Sequence, residues 1–475
     1  MRFSLISVSA IPRTGSLKLT TNLEQFHGVC LPLLWSHGSS AAGRADKAFV
    51  MALVRRHHDV MSRMLSIAAL ASDGGGAKRF REGTHRTVSP DETVARLRPL
   101  LPALGITRVA NVTGLDRIGV PVVMVCRPNS RSIAVSQGKG LTLAAAKASG
   151  IMEAAEGFHA EHIERPLRLG SSHELAHSLL LADVEALPLR RDSRWHPDLP
   201  ILWIEATDLN SDERVWVPYE VVHANYTHPL PSGSGCFAAT TNGLASGNHL
   251  LEAICHAICE IVERDAGCLW HRSAKRARDA ARIDPGSVSD RACRSVLERI
   301  EQAGMSVALW ETTTDIGIAA FECLIADEWA ASGHAGSGAG CHAMAEIALL
   351  RALTEAIQVR NTYVTGSRDD LRPEEYVPSE RAERRRRLRQ SMASAGPARD
   401  FRAVPSHCFD SFEEECRWLL GRLAAVGCLR VLAVDLTKSE FGLPVVRIVI
   451  PGLEGPDDAD SVPGPRARQA GARAP

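Results

Sequence analysis

The chain has 475 residues, 45% hydrophobic and 23% charged, with 55 basic residues against 55 acidic. That is globular composition with length for one large domain or two, and so even a charge balance excludes a global field drawing in nucleic acid or an anionic membrane. The 12 cysteines form no CxxC pair, which predicts free thiols in a reducing cytoplasm, and no apolar run nears the roughly 20 residues of a membrane span.

In chain order, residues 1–76 are weakly periodic and end in the breaker GGG, which predicts a poorly ordered extension ahead of the folded part. Residues 92–105 (ETVARLRPLLPALG) have helical apolar spacing. Residues 106–128 alternate β-rich runs around a GLDRIG turn, predicting strand, turn, strand. SQGKG at 136–140 leads into an Ala-rich helix over 141–163. Strands follow near 200–204 and 215–218, then a helix within NGLASGNHLLEAICHAICEIVERDA (242–266). A connector helix near 291–303 precedes strands VALWETTTD and IAAFECLIAD. The run GHAGSGAGCH (333–342) reads as a Gly-rich loop before the helix 343–366. The basic stretch SERAERRRRLRQ reads as a solvated face. VLAVDLT and PVVRIVIPGLEG read as strands, and 456–475 as a loose Pro/Ala/Arg-rich tail. No internal repeat is evident. The fold class expected is mixed α/β (α+β): helices packed on mixed or antiparallel sheets.

Two of these helices carry acids on otherwise apolar surfaces. At about 100° per residue, Glu252, Glu260 and Glu263 share an arc of roughly 80°, with Asn248 beside it, and Ser149, Glu153 and Glu156 share about 60° of the earlier helix. Crowded, partly buried carboxylates destabilise a fold unless cations neutralise them. Five glutamates on two helices make a cage for a hard cation such as magnesium, which takes carboxylate oxygens and shares its shell with phosphates; spacing alone equally allows a solvated face. Lys78, Arg81, Arg86, Arg264 and Arg360 are placed to meet phosphate. No GxxxxGK[ST] or GxGxxG run is present, so a nucleotide must bind in another way.

Taken together, KRFREGTHR, GITRVANVTGLDRIGVPV, SQGKG with SGIMEAAE, NGLASG through ERDA, ALLRALTEAIQVRNTYVTGSRDD and VVRIVIPGLEG resemble the YcaO family over residues 77–455, and most closely its TfuA-associated type. The resemblance implies a YcaO-type fold with an ATP and Mg2+ site and an enzyme that activates a peptide-backbone amide oxygen by phosphorylation. Carried over by position, Lys78, Arg86, Ser149, Glu153, Glu156, Asn248, Glu252, Glu260, Glu263, Arg264 and Arg360 would bind nucleotide, with Glu153, Glu156, Glu252, Glu260 and Glu263 holding metal. It implies a peptide or protein substrate, a TfuA-like sulfur-delivery partner and a homodimer. The expected product is a thioamide, with an azoline as the alternative. Azoline-forming relatives end in a PxPxP tail where this chain has only VPGPRA, which leaves the catalytic base unassigned.

Rival readings start from other residues. HELAH at 173–177 matches the HExxH pattern of zinc hydrolases, without a clear third ligand. Cys255 and Cys259 are one helical turn apart, and Cys341 adjoins His342; both pairs read as packing before chemistry. Lys139, within SQGKG, is assigned to the nucleotide or substrate neighbourhood. A non-catalytic peptide-binding scaffold is the alternative of another class, and it would tolerate loss of the acidic residues.

Overall fold

Three glycines at alternate positions, 336, 338 and 340, dictate a central feature of the architecture. In a β-strand, alternate residues share a face, so this one carries no side chain. A Cβ built at Gly336 would lie 1.9 Å from the carbonyl oxygen of Ala356, one at Gly338 2.3 Å from that of Ala352, and one at Gly340 2.0 Å from that of Ala348. A helix therefore rests directly on bare strand backbone. The computed structural model describes residues 76–327, 335–393, 398–456 and 460–472, all within the unit Asp59–Pro475. In it, Gly336–His342 of the predicted Gly-rich loop is a strand: glycine there makes room for a helix rather than a turn.

The helices are α1 (Pro90–Leu97), α2 (Leu143–Glu161), α3 (Leu250–Arg272), α4 (Arg291–Gln302), α5 (Ala345–Thr365), α6 (Pro378–Met392), α7 (Phe412–Ala425) and α8 (Pro465–Ala472), besides segments of six residues or fewer. Strands β1 (Arg108–Asn111), β2 (Val122–Cys126) and β3 (Val135–Lys139) form one sheet. A second runs β11 (Gly336–His342), β10 (Ala319–Asp327), β9 (Met305–Glu311), β8 (Arg282–Ile283). A third has the order β4 (Leu167–Gly170), β5 (Ile201–Asp208), β12 (Leu432–Asp435), β13 (Val445–Val449), β7 (Leu244–Ser246), with β6 (Arg214–Pro218) also on β5. Every strand pair is antiparallel, which fixes the α+β expectation on its antiparallel side.

SQGKG is also strand, the edge strand β3. A Cβ at Gly138 would meet the Ala146 carbonyl oxygen at 2.0 Å, the contact Gly340 makes with Ala348. Strand–helix pairs β3–α2 and β11–α5 thus repeat one close-packed unit, invisible in the sequence because only glycine, alanine and one acid are common to both. Fifteen residues after Gly138 stands Glu153, and fifteen after Gly340 stands Glu355.

α3 begins later than its motif. NGLASG supplies β7, and the His249 side chain then caps the helix by accepting from the Leu251 N–H at 3.2 Å. Its apolar residues pack with α7 and with Val446 and Ile448 of β13 in one core cluster, while α2 and Val445 and Val449 belong to another. The tail departs from expectation. Arg466 of α8 grips fully buried Asp265 of α3 at 3.0 Å, and Glu454 accepts from the Gly464 and Ala467 N–H groups; paired charges hold what composition marked as loose. Of the expected N-terminal extension, residues 1–75 lie outside the described residues. Among those described, no helix is long and apolar enough to cross a membrane, and the cysteines are free.

Candidate active site

Because α2, α3 and α5 each carry acids on the face left over from core packing, their carboxylates meet around a cavity of about 630 Å³. Glu153 and Glu156 reach it from α2, Glu260 and Glu263 from α3, and Glu355 from α5; Ser149, Asn248, Glu252, Arg86, Arg264 and Lys139 also line it. The structure so brings together nine of the eleven residues assigned from sequence.

Electrostatics mark the four glutamates at 153, 156, 260 and 263. Burial pushes Glu156 up to about 8, against hydrogen bonds that its Oε1 accepts from the Ser246 N–H (2.8 Å) and hydroxyl (2.7 Å). Burial likewise raises Glu153 and Glu260 to about 7 and raises Glu263. Glu153 is solvent-exposed on the cavity wall, so water relieves much of this upward push, and the buried-carboxylate argument rests chiefly on Glu156, Glu260 and Glu263. Such shifts state that these acids lack sufficient positive charge. Glu355 differs: burial pushes it up, but the Lys139 ammonium, 2.8 Å away, and Arg264 outweigh that and hold it low.

Glu252 stands apart from the other assigned metal ligands. Its Oε2 accepts from the Thr87 N–H (2.9 Å) and hydroxyl (3.0 Å), while Oε1 faces Arg86 at 3.5 Å. Those bonds tie the segment carrying Arg86 to α3. The Asn248 side-chain oxygen accepts from Arg96 at 3.0 Å and Thr93 at 3.2 Å. Two assignments need correcting. Lys78 is buried in an ion pair with Glu415 beneath the Phe412 ring, and Arg360 is turned to Asp116 at 3.0 Å; neither lines the cavity. A basic residue near a motif has several acids within reach, and spacing does not choose among them.

The sequence reading passed over other lining residues, namely Arg351, Glu355, Gln358 and Arg368. The signal was present: Glu355 and Gln358 are three apart on a buried helix, as Glu153 and Glu156 are. His256, one turn from both Glu252 and Glu260, also lines the cavity; its Nδ1 is buried without a hydrogen-bond partner, and burial with nearby Arg351 holds the ring neutral.

The rival constellations dissolve. The helix bearing HELAH ends at Leu175, both histidines are exposed, and His173 pairs with Asp198 at 2.9 Å. Cys255 and Cys341 are buried, and burial pushes both thiols well up. His342 Nε2 faces Glu415, 3.4 Å away. α6, with its arginine run, buries no residue.

A family model described as YcaO cyclodehydratase, ATP- and Mg2+-binding, matches residues 137–454. An uncharacterised protein in the tfuA 3′ region of Rhizobium leguminosarum bv. trifolii is 35% identical over 411 residues, spanning 83% of this chain and 94% of its own. An uncharacterised protein of Methanothermobacter thermautotrophicus is 35% identical over 377 residues, 78% of this chain and 95% of its own. Among solved structures, YcaO from Methanopyrus kandleri bound with AMPPCP and Mg2+ aligns with TM-score 0.64 at 24% identity, covering 80% of this chain and 95% of that one. A heterocyclase in complex with substrate and cofactor aligns with TM-score 0.66 at 21% identity, covering 81% of this chain and 55% of that one.

Proposed function

The chain belongs to the YcaO family, an ATP- and Mg2+-binding family, and from that premise we propose that it uses ATP to activate a peptide-backbone amide, most specifically to make a thioamide. The observation that carries the reading is the set of glutamates at 153, 156, 260 and 263, raised by burial around one cavity. A volume near 630 Å³ suits a ligand of nucleotide size, and acids short of positive charge fit divalent ions.

Within this reading the glutamates would hold the metal, with Ser246 fixing one oxygen of Glu156. Bound magnesium would supply charge neutralisation on the phosphates. Arg86, Arg264 and Arg351, which line the cavity, would neutralise the phosphates, and Glu252 fixes the segment bearing Arg86. The reaction converts a poor leaving group into a good one. A nucleophile adds to the amide carbon and the carbonyl π pair moves to oxygen. That oxygen takes the γ-phosphoryl group from ATP with release of ADP, and the C–O bond then breaks as phosphate departs. With hydrosulfide as nucleophile, loss of the S–H proton leaves C=S. The protein's share is positioning and electrostatics.

Support for sulfur is the likeness to a protein in a tfuA 3′ region, and a TfuA-like sulfur-delivery partner, a homodimer and a cytoplasmic site belong to the same proposal. The azoline alternative is favoured by the cyclodehydratase wording of the family. Intact mass decides: incubating a candidate peptide with ATP, Mg2+ and sulfide should add about 16 Da for oxygen replaced by sulfur, whereas loss of about 18 Da would mean cyclodehydration. ATP turnover with neither change would count against both.

A further inference from the structure

The cavity has two ends. β3 turns into α2 through residues 140–142, and the two run antiparallel, since Gly140 lies against Ala145 and Gly138 against Ala146 and Gly150. The α2 residues that line the cavity, from Ala145 to Gly157, span about 18 Å at the helical rise. α5 follows the same axis. Its Glu355 meets Lys139 at the C-terminal end of β3 (2.8 Å), and its Gln358 donates to the Gln137 carbonyl oxygen in mid-strand (3.1 Å). Arg351, one turn before Glu355, therefore marks the first end. Arg86 joins it there, because Phe80 and Arg86 close a hairpin in which a Cβ at Gly83 would touch Leu141 and Leu350. The acids of α2 lie between this basic end and the other.

The second end is rimmed by residues 127–134, the connection from β2 to β3. Buried Glu161, the last residue of α2, holds it: Oε2 accepts from Arg127 at 2.6 Å and Oε1 from the Ser130 and Ser132 hydroxyls, both at 2.6 Å. Burial pushes this carboxyl up, but those bonds outweigh it and keep it below the usual range. The Tyr226 N–H donates to the Arg131 carbonyl oxygen at 3.0 Å, and the Ala134 N–H to Asp369 at 3.1 Å. A loop fixed this firmly still carries Ile133 37% exposed on the cavity wall. Half-buried Val135, Met152 and Tyr226 line the wall leading to it. The cations that line this end, Arg127 and Arg368, are neutralised by Glu161 and by Asp370, the latter at 2.9 Å.

We propose that Ile133, with Val135, Met152 and Tyr226, forms the subsite for a large aliphatic side chain of the peptide, on a residue next to the activated amide. This rests on the amide-activation reading. Charge divides the cavity. Phosphates belong at the basic end, the γ-phosphoryl group points along the axis past the acids, and the amide oxygen must meet it from the far side. A peptide, unlike a nucleotide, extends beyond the reacting group in both directions, so it needs the end that opens on an exposed loop. Its neighbouring side chain then lies on a wall of apolar groups whose cations are already paired. There an aliphatic group gains by leaving water, and a charged one loses hydration without a partner.

The test uses the full chain with Mg2+ and AMPPCP, titrated by methyl NMR with the peptides acetyl-Gly-Gly-X-Gly-Gly-amide in which X is Leu, Ala, Asp or Lys. With wild type, the Leu peptide should bind at least tenfold more tightly than the Asp or Lys peptide and shift the Ile133 methyl resonances. Ile133→Ser, at an exposed position, should narrow that ratio to threefold or less, with bound Mg·AMPPCP attesting the fold, and Ile133→Leu should restore it. Should the serine variant fail to fold, the wild-type ratio and the Ile133 methyl shifts decide alone. No peptide binding, equal affinity across X, an unmoved Ile133 resonance, or an undiminished ratio in folded Ile133→Ser overturns the subsite. If wild type fails to bind Mg·AMPPCP, the nucleotide reading itself fails; if the nucleotide binds and only the peptide results are negative, this inference alone fails.

Discussion

Glu156→Gln should make the metal-free protein more stable at alkaline pH. An ordinary glutamate titrates near 4.5, and burial moves Glu156 to about 8. Folding therefore binds a proton across that window. At about 1.4 kcal/mol per pH unit, ionising Glu156 in the native state costs about 5 kcal/mol relative to the unfolded chain. The sign follows: the stability tied to this proton is full below pH 4.5 and is lost as pH rises to about 8. Coupling to Glu153 and Glu260 spreads the cost over several groups, so about 5 kcal/mol is an upper bound for this one. Glutamine stays neutral and can still accept from Ser246. Urea unfolding in EDTA should place wild type and Glu156→Gln together at pH 4.5 and separate them by up to about 5 kcal/mol at pH 8.5, the variant being more stable. Adding Mg2+ and AMPPCP should stabilise wild type and not the variant. A separation unchanged between the two pH values would refute the burial argument.

Gly340→Val drives a side chain into the Ala348 carbonyl, 2.0 Å from the Cβ position, and should cost on the order of 3 kcal/mol or more by thermal unfolding. Gly421→Ala in α7, where nothing lies within 4 Å, should be neutral or stabilising by up to about 1 kcal/mol. Lys139→Met removes the ammonium holding Glu355 low, so the Glu355 titration, followed by carbon NMR, should move up; an unmoved titration would contradict the pairing. His173→Ala should leave metal content and ATP turnover unchanged, since His173 is exposed and paired with Asp198; zinc lost on this change would revive the hydrolase.

The acidic helices were legible because apolar periodicity and misplaced glutamates coincide within single segments, so Glu153, Glu156, Glu260 and Glu263 could be read from local spacing. What was lost depended on partners remote in sequence. Lys78 finds Glu415 and Arg360 finds Asp116, pairings that only the folded topology decides. The glycines of β3 and β11 carry two meanings, turn or close approach, and the helix that settles which one follows them in the chain without betraying that it folds back. α8 shows the same limit: Arg466 is an exposed-looking arginine in a polar tail until buried Asp265 of α3 is placed beside it.

The account stands on four glutamates needing metal and nucleotide between them, and calorimetric titration with AMPPCP, with and without Mg2+, tests this most directly. Wild type should bind only with Mg2+, and Glu260→Gln should keep the fold by circular dichroism while losing that binding. Equal AMPPCP affinity without Mg2+, or in folded Glu260→Gln, would contradict the account.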